Sequence, residues 1–213
     1  MNLANKSKDK DEEQEPENEV LTAEEVAIMA LQSEPNIRAI GLCGDIEEEK
    51  IGELIGIMLG LRETGLIVGD DQKINRQPIE FLVSTTGGSA HEMFALYDVM
   101  RIVRNDTPIH TLGLGKVMSA GVLLLAGGTK GHRKIGKNCR VMIHGVIGGN
   151  AGMLHNLENE MDEIRQTQEQ YIEALVKETD MTKRLLKKLI ERKVNVYLTA
   201  AEAVEYGIAD EVI

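Results

Sequence analysis

The stretch LGLGKVMSAGVLLLAGGTKGHRKIGKNCRVMIHGVIGG, Leu112–Gly149, decides the fold of this chain. It places Ser119 in a glycine-flanked turn between an apolar strand and an apolar helix, and a later apolar run ends at His144. A serine at a helix start can project Oγ where backbone N–H groups are unpaired and the helix dipole favours developing negative charge. That placement is typical of a nucleophile. The alternative is an ordinary N-cap, with the serine side chain bonded to the nearby backbone.

The composition indicates one globular domain with an aliphatic core. The chain has 213 residues, enough for one sizeable domain, and 42% of them are hydrophobic. It has no Trp, two Phe and four Tyr, so the core has to be built from aliphatic side chains and Met. The net charge of −11 argues against a nucleic-acid partner, because phosphate binding needs a basic surface.

The cysteines, the histidines and the apolar runs narrow the class of protein further. Cys43 and Cys139 both lie in apolar runs, which predicts buried free thiols and fits a reducing cytoplasm. The five histidines have no metal-ligand spacing, so we expect no metal. Residues 1–19 carry no apolar h-region of a secretory signal, and no apolar run reaches the roughly 18 residues that span a bilayer. We therefore expect a cytoplasmic protein without a membrane partner.

The chain divides into a tail, residues 1–19, and a domain, residues 20–213. The tail is acidic and nearly without apolar side chains, so we expect it to be flexible. Its role is either solvation or that of an arm that becomes ordered in an assembly. In the domain, strands are predicted at 37–42, 79–84, 108–114, 140–144 and 194–198, and helices at 21–31, 47–65, 93–105, 119–126, 153–177, 182–192 and 199–206. A polar loop is expected around Asp70 and Asp71.

The alternation of strands and helices predicts an α/β fold with a mainly parallel sheet and right-handed crossovers. The continuous apolar run at 79–84 predicts a strand buried on both faces. Ligands of such sheets bind beyond the carboxyl ends of the strands, where Gly87, Gly88, Ser119 and His144 all fall. Glycines there let backbone N–H groups approach a phosphate or a developing oxyanion. The TTGGS turn matches neither a P-loop nor a dinucleotide motif.

The longest predicted helix, 153–177, has a narrow apolar stripe on an otherwise strongly charged surface. The stripe consists of Leu154, Leu157, Met161, Ile164 and Gln168. A stripe this narrow indicates a helix that reaches away from the core toward a partner. The alternative is an ordinary surface helix.

Four segments, taken together and in this order, resemble the proteolytic subunit family of the Clp protease, ClpP. They are VSTTGGSAHEMFALYDVMRIVR with its glycine turn, GLGKVMSAGVLLLAGGTKGHR with the serine, NCRVMIHGVIGG with the histidine, and the closing AAEAVEYGIADEVI. The resemblance covers about residues 37–213. It implies a ClpP/crotonase-like βα spiral with a mainly parallel sheet and a protruding handle helix.

By this resemblance, Ser119 is the nucleophile and His144 is the general base. The N–H groups of Gly88 and Ala120 would form the oxyanion hole. The family assembles heptameric rings that stack as a tetradecamer, here of this chain alone or mixed with related subunits. A hexameric AAA+ unfoldase threads unfolded polypeptides into the chamber. ATP is the cofactor of that partner, so this chain would need no cofactor.

The third catalytic position departs from the family pattern. The family has an Asp ahead of its closing helix, whereas the stretch ERKVNVYLT has none, and Asn195 or Lys193 occupies the region. Asn195 could accept a hydrogen bond from His144 but could not stabilise the imidazolium charge, which costs about 10⁴ in kcat in a Ser-His-Asp protease. Three possibilities remain: a weakened Ser-His-Asn enzyme, a Ser-His pair with another acid, and a subunit that relies on an active ring partner.

The flanks of the site also depart from the family. Thr86 replaces a proline, Met118 an alanine, and Gly145 with Val146 a Gln-Pro pair, which weakens the expectation of strand-like substrate binding. The sequence predicts a serine endopeptidase, with a weakly active or inactive ring subunit as the alternative. A third interpretation is an acyl-CoA-binding protein of the crotonase type, which would need neither the serine nor the histidine.

Overall fold

A computed structural model describes residues 37–68, 74–149, 151–190 and 194–213. The strands are β1 (Ala39–Cys43), β2 (Leu66–Val68), β3 (Ile74–Arg76), β4 (Ile79–Thr85), β5 (Ile109–Met118), β6 (Arg133–Ile135), β7 (Arg140–Ile143), β8 (Val196–Leu198) and β9 (Glu211–Val212). The helices are α1 (Glu48–Thr64), α2 (Ala90–Val103), α3 (Ala120–Ala126), α4 (Leu154–Glu178), α5 (Lys183–Ile190) and α6 (Ala200–Glu205). The predicted tail, the helix at 21–31, and Asp70 and Asp71 lie outside the described residues.

Seven of the described strands form one mainly parallel sheet, which confirms the predicted α/β class. β1, β4, β5, β6 and β9 are successive parallel neighbours. β7 runs parallel to the end of β5, and β8 runs antiparallel to β7. β2 and β3 form a separate antiparallel hairpin. The sequence did not predict β2, β3, β6 or β9, each of which has only two or three residues and shows little of a period.

Strand β5 is longer than the sequence predicted, and its extension places the candidate serine. The predicted end at residue 114 is wrong, because Gly115 takes a φ of 65° and the strand continues to Met118. The pairing with β4 shifts register on the way, from Val83↔Gly113 to Thr85↔Val117. A glycine adopts that left-handed conformation without a Cβ penalty, so the strand can bend without ending. Beyond the bend, β5 pairs with β7 instead of β6.

Two expectations about burial are wrong, and strand alternation explains both. In β4, Phe81 and Val83 are buried whereas Glu80 is exposed, so this strand is not buried on both faces. Cys43, expected to be buried, is exposed because it lies on the outward-facing side of β1, at the edge of the described sheet. Cys139 is buried as expected, and burial raises the pKa of its thiol to about 11.

Helix α3 lies at the centre of the core and is buried along its whole length. It packs against α2 and against strands β4 and β5. The largest fully buried side chains are almost all aliphatic or Met, as the composition predicted, with Phe81 the one aromatic among them. The short helix that follows Ser119 is therefore surrounded by tightly packed neighbours.

Helix α4 has a buried carboxyl-terminal half and an exposed amino-terminal half. Leu175 is fully buried, whereas Met153, Leu154 and Met161 keep 65%, 72% and 49% of their surface exposed. Its last residue, Glu178, accepts hydrogen bonds from Tyr97 and Arg104. Burial would raise the pKa of Glu178, but these two donors outweigh it, so the pKa is lowered. The prediction of a helix that extends from the core is confirmed.

The end of the chain is fixed by a buried arginine. The Arg133 guanidinium bonds the Asp210 carboxylate and the carbonyl oxygens of Ala126, Glu178 and Gly207. Desolvation would raise the pKa of Asp210, but the hydrogen bonds from Arg133 outweigh it and lower the pKa. These contacts join β6, the end of α4 and the turn after α6.

The closing helices follow the sequence prediction closely. The capping box of Thr199 and Glu202 at the start of α6 is confirmed, and Gly207 after its end has the expected left-handed φ of 69°. The helix predicted at 182–192 is described over Lys183–Ile190, and 191–193 lie outside the described residues. In the part of the chain that the structure describes, no helix is both long and apolar enough to cross a membrane.

Candidate active site

Ser119 has a strained backbone at the junction of β5 and α3. Its φ and ψ are 55° and −123°, and it is the single non-glycine residue with a positive φ among those described. Its N–H donates to the Met142 carbonyl at 2.8 Å, which joins the turn to β7. Its side chain makes no capping hydrogen bond, so the ordinary N-cap alternative is wrong. The start of helix α3 therefore does not use the Ser119 hydroxyl as a hydrogen-bond partner.

Gly87 allows the glycine turn after β4 to approach Ser119 closely. Its φ is 100°, and a Cβ placed on it would lie 2.6 Å from Ser119 Cβ and 3.0 Å from the Met118 carbonyl oxygen. A side chain at this position is therefore disfavoured by contact as well as by conformation, and the turn would have to move to accommodate it. The Gly87 N–H donates to Thr85 Oγ1 at 3.0 Å, so it is not available to a ligand.

The next residue, Gly88, has an N–H group that makes no hydrogen bond to another described residue, and the same holds for Ala120. The backbone around Gly88 is fixed by Ile46, whose N–H donates to the Gly87 carbonyl and whose carbonyl accepts from Ser89. Two unpaired donors of this kind are what an oxyanion hole requires.

Four of the predicted site residues, but not Asn195, meet in one cleft of about 520 Å³. Its lining includes Gly88, Ser119, Ala120, His144, Thr167 and Tyr171. The structure thus brings together the serine, the histidine and both predicted N–H donors. Ser119 Oγ and the His144 ring make no direct hydrogen bond; catalytic contacts are often long until substrate is bound.

His144 is oriented by a backbone carbonyl and not by the predicted third residue. Its Nδ1 lies in hydrogen-bond contact with the Gly145 carbonyl oxygen. A carbonyl can only accept, so the contact places the proton on Nδ1 and leaves Nε2 as the acceptor. Asn195 lines a neighbouring depression of about 450 Å³ together with His144, but no hydrogen bond joins the two. Lys193 lies outside the described residues.

One turn of helix α4 contacts both sides of the cleft. The Tyr171 hydroxyl donates to the Ser119 carbonyl at 2.9 Å, and Gln168 Oε1 accepts from the Val146 N–H at 3.3 Å. Tyr171 was not among the site residues predicted from the sequence. Its position three residues after Gln168 placed it near the apolar stripe, but nothing in the sequence pairs its hydroxyl with a residue 52 positions away.

The loop after β1 supports the glycine turn from the other side. The Thr86 hydroxyl donates a hydrogen bond to the Asp45 carboxylate. This contact links the turn to the loop that also carries Ile46. Among the described residues, no three His, Cys, Asp or Glu side chains are grouped closely enough to hold a metal ion.

This arrangement of an available hydroxyl, an imidazole and two N–H donors in one cleft is suited to acyl transfer. The family profile described as Clp protease matches residues 27–213 of the chain. The chain belongs to the Clp protease family. The mainly parallel sheet with its packed helices fits the Clp fold.

A curated relative from Bifidobacterium longum supports the same membership. The chain is 38% identical over 149 residues to a protein named ATP-dependent Clp protease proteolytic subunit 1. The matched region covers 70% of this chain and 62% of that Clp subunit.

Proposed function

We propose that this chain is a Clp-type proteolytic subunit, a serine endopeptidase that hydrolyses peptide bonds of unfolded polypeptides. The observation that carries the proposal is the strained Ser119 in the same cleft as His144 and the unpaired N–H groups of Gly88 and Ala120. Backbone strain of this kind is concentrated at functional sites.

In the first half of the reaction, Ser119 Oγ attacks the carbonyl carbon of the peptide bond, and its proton passes to Nε2 of His144. The carbonyl oxygen becomes an oxyanion held by the N–H groups of Gly88 and Ala120. As the C–N bond breaks, its electrons go to the nitrogen, which takes the proton from His144 and leaves as the amine. An acyl ester on Ser119 remains.

In the second half, water replaces the amine. His144 takes a proton from the water, whose oxygen attacks the ester carbon, and the same two N–H groups hold the new oxyanion. The ester bond breaks, Ser119 recovers its proton from His144, and the carboxylic acid leaves. Every proton taken by the imidazole is returned, so the reaction needs no cofactor.

The Gly145 carbonyl orients the histidine in this proposal, and the Asn195 amide lies on the neighbouring wall without a hydrogen bond to it. Neither group carries a full negative charge, so the imidazolium formed in each half-reaction is less stabilised than with an aspartate. We therefore expect a slower enzyme than one with a complete Ser-His-Asp triad.

The proposal extends to assembly in the cytoplasm. We propose heptameric rings, stacked as a tetradecamer, of this chain alone or with related subunits, supplied with polypeptide by a hexameric AAA+ unfoldase that uses ATP. The exposed apolar residues Leu154 and Met161 on the outer half of α4, with Met153 just before it, support such self-association. Negative-stain images of the purified chain test it, because a seven-fold particle is the expected result and a monodisperse monomer would contradict it.

The activity is tested with a serine-directed fluorophosphonate. Ser119 Oγ should form the new P–O bond with loss of fluoride, and intact-mass analysis should show one adduct. The adduct should be absent in Ser119→Ala and much slower to form in His144→Ala. An assembled wild-type ring that does not react would overturn the enzyme proposal.

A second candidate is a ring subunit of low activity that scaffolds or modulates an active partner. The absence of a carboxylate hydrogen-bonded to His144 among the described residues favours it. It predicts a seven-fold particle without fluorophosphonate labelling. The two measurements together therefore separate the candidates.

A further inference from the structure

Tyr171 is a buried donor beside the candidate nucleophile. It keeps 5% of its surface exposed, and its hydroxyl donates to the Ser119 carbonyl oxygen at 2.9 Å. Burial raises the pKa of this hydroxyl, so it retains its proton across the physiological range. Its partner is a backbone carbonyl that contributes nothing to the proposed proton transfers, so the mechanism above does not use it.

The Ser119 carbonyl belongs to the same peptide group as the Ala120 N–H. A peptide group is planar and trans, so fixing the direction of its oxygen fixes the direction of its N–H on the opposite side. The carbonyl accepts a second hydrogen bond from the Val122 N–H at 3.0 Å. Two donors on the oxygen also polarise the group, which makes its N–H a stronger donor.

The peptide group follows a residue with a strained backbone, so a contact from outside the turn can decide its orientation. Ser119 occupies a sparsely populated backbone region, and α3 extends for only seven residues beyond it. A rotation of the 119–120 peptide plane would relieve strain and turn the Ala120 N–H out of the cleft. The Tyr171 hydroxyl, presented by the much longer helix α4, opposes that rotation.

We infer that Tyr171 is a positioning residue, which holds the Ser119–Ala120 peptide so that its N–H faces the oxyanion. This inference rests on the proposed function and adds a residue to it. Because the oxyanion exists in the transition state and not in bound substrate, loss of the hydroxyl should lower kcat and leave KM unchanged.

The experiment compares Tyr171→Phe with Tyr97→Phe, both assayed in the full-length assembled protein. Tyr97 is a matched control, since it is 4% exposed and its hydroxyl also donates a hydrogen bond, but to Glu178 outside the cleft. Loss of one hydrogen bond of ordinary strength predicts a fall in kcat of about three- to tenfold for Tyr171→Phe. The rate of fluorophosphonate labelling should fall by the same factor. Tyr97→Phe should keep the wild-type kcat and labelling rate.

Tyr171→Met serves as a second variant, because methionine fills the space flexibly and also lacks the hydroxyl. It should show the same fall in kcat, and it replaces Tyr171→Phe if that variant does not fold. An unchanged kcat, a change in KM alone, or an equal loss in Tyr97→Phe would overturn the inference. Those outcomes leave the proposed function intact if the wild type is labelled at Ser119. If the wild type is not labelled, the proposed function and the inference about Tyr171 both fail.

Discussion

Substitution of Gly87 by alanine is the sharpest test of how the glycine turn serves Ser119. The new Cβ would lie 2.6 Å from Ser119 Cβ and 3.0 Å from the Met118 carbonyl oxygen. Carbon atoms in ordinary contact are about 3.5–4.0 Å apart, so the two Cβ atoms must separate by about 1 Å. Neither neighbour is the end of a flexible side chain, so the backbone turn that carries the serine has to move.

The size of the effect follows from that displacement. Misplacing a reacting group by about 1 Å costs on the order of 10² in rate, so fluorophosphonate labelling of Gly87→Ala should be about 100-fold slower. An alanine at a φ of 100° also destabilises the folded state by about 1–2 kcal/mol. The expected variant is therefore folded, slightly less stable and nearly inactive.

Gly131→Ala is the matched control for the stability cost of an alanine at a positive φ. Gly131 has a φ of 86°, and no atom lies within 4 Å of the position where its Cβ would be. It should lose similar stability in urea denaturation and retain the wild-type labelling rate. If folded Gly87→Ala is labelled within about threefold of the rate of Gly131→Ala, the close approach at Gly87 does not control the position of Ser119.

Three further predictions concern stability and the third catalytic position. Arg133→Met removes the buried guanidinium that bonds the Asp210 carboxylate and three carbonyl groups, and should cost about 3–5 kcal/mol in urea denaturation. Because Asp210 and Glu178 have lowered pKa values in the folded state, their stabilisation is complete above their unfolded pKa of about 4. This stabilisation is lost as the pH falls below that value, so the Tm of the wild type should drop in this range. The Tm of Asp210→Asn should drop less steeply. Asn195→Asp adds a carboxylate to the wall shared with the histidine, and kcat should rise at least about tenfold.

The outcomes that contradict these predictions are specific. Arg165→Met removes only an exposed pair with Asp162 and should cost less than about 1 kcal/mol, so an equal loss in both arginine variants would contradict the buried-network argument. A Tm profile that is identical in Asp210→Asn and wild type would remove Asp210 from the acid transition. An unchanged kcat in Asn195→Asp would show that residue 195 does not reach the histidine.

The long periodic and apolar segments of this chain were predictable from the sequence. Helix α1 ends at Thr64 with Gly65 as its C-cap, close to the end that its apolar spacing and the glycine indicated. The capping box at Thr199 gave the start of α6. Local chemistry determines these features, so a local pattern reveals them. The cleft residues Ser119 and His144 were found in the same way, because glycines and strand ends mark where parallel sheets bind ligands.

The missed features depend on contacts between distant segments. The extension of β5 beyond Gly115 depends on pairing with β7, and the exposure of Cys43 depends on which strand lies at the sheet edge. Tyr171 reads in sequence as one more side chain of an amphipathic helix. Only the fold brings its hydroxyl to the Ser119 carbonyl, and only the fold offers the Gly145 carbonyl to the histidine.

The left-handed backbone of Ser119 has a consequence for how the chain can evolve. Serine at a φ of 55° costs the folded protein about 1 kcal/mol, which glycine would avoid. The side chain makes no capping bond, so glycine would lose nothing of that kind. Under selection for stability alone, mutation would therefore drift toward glycine at this position. A lineage keeps the hydroxyl there only while its chemistry outweighs that standing thermodynamic disadvantage.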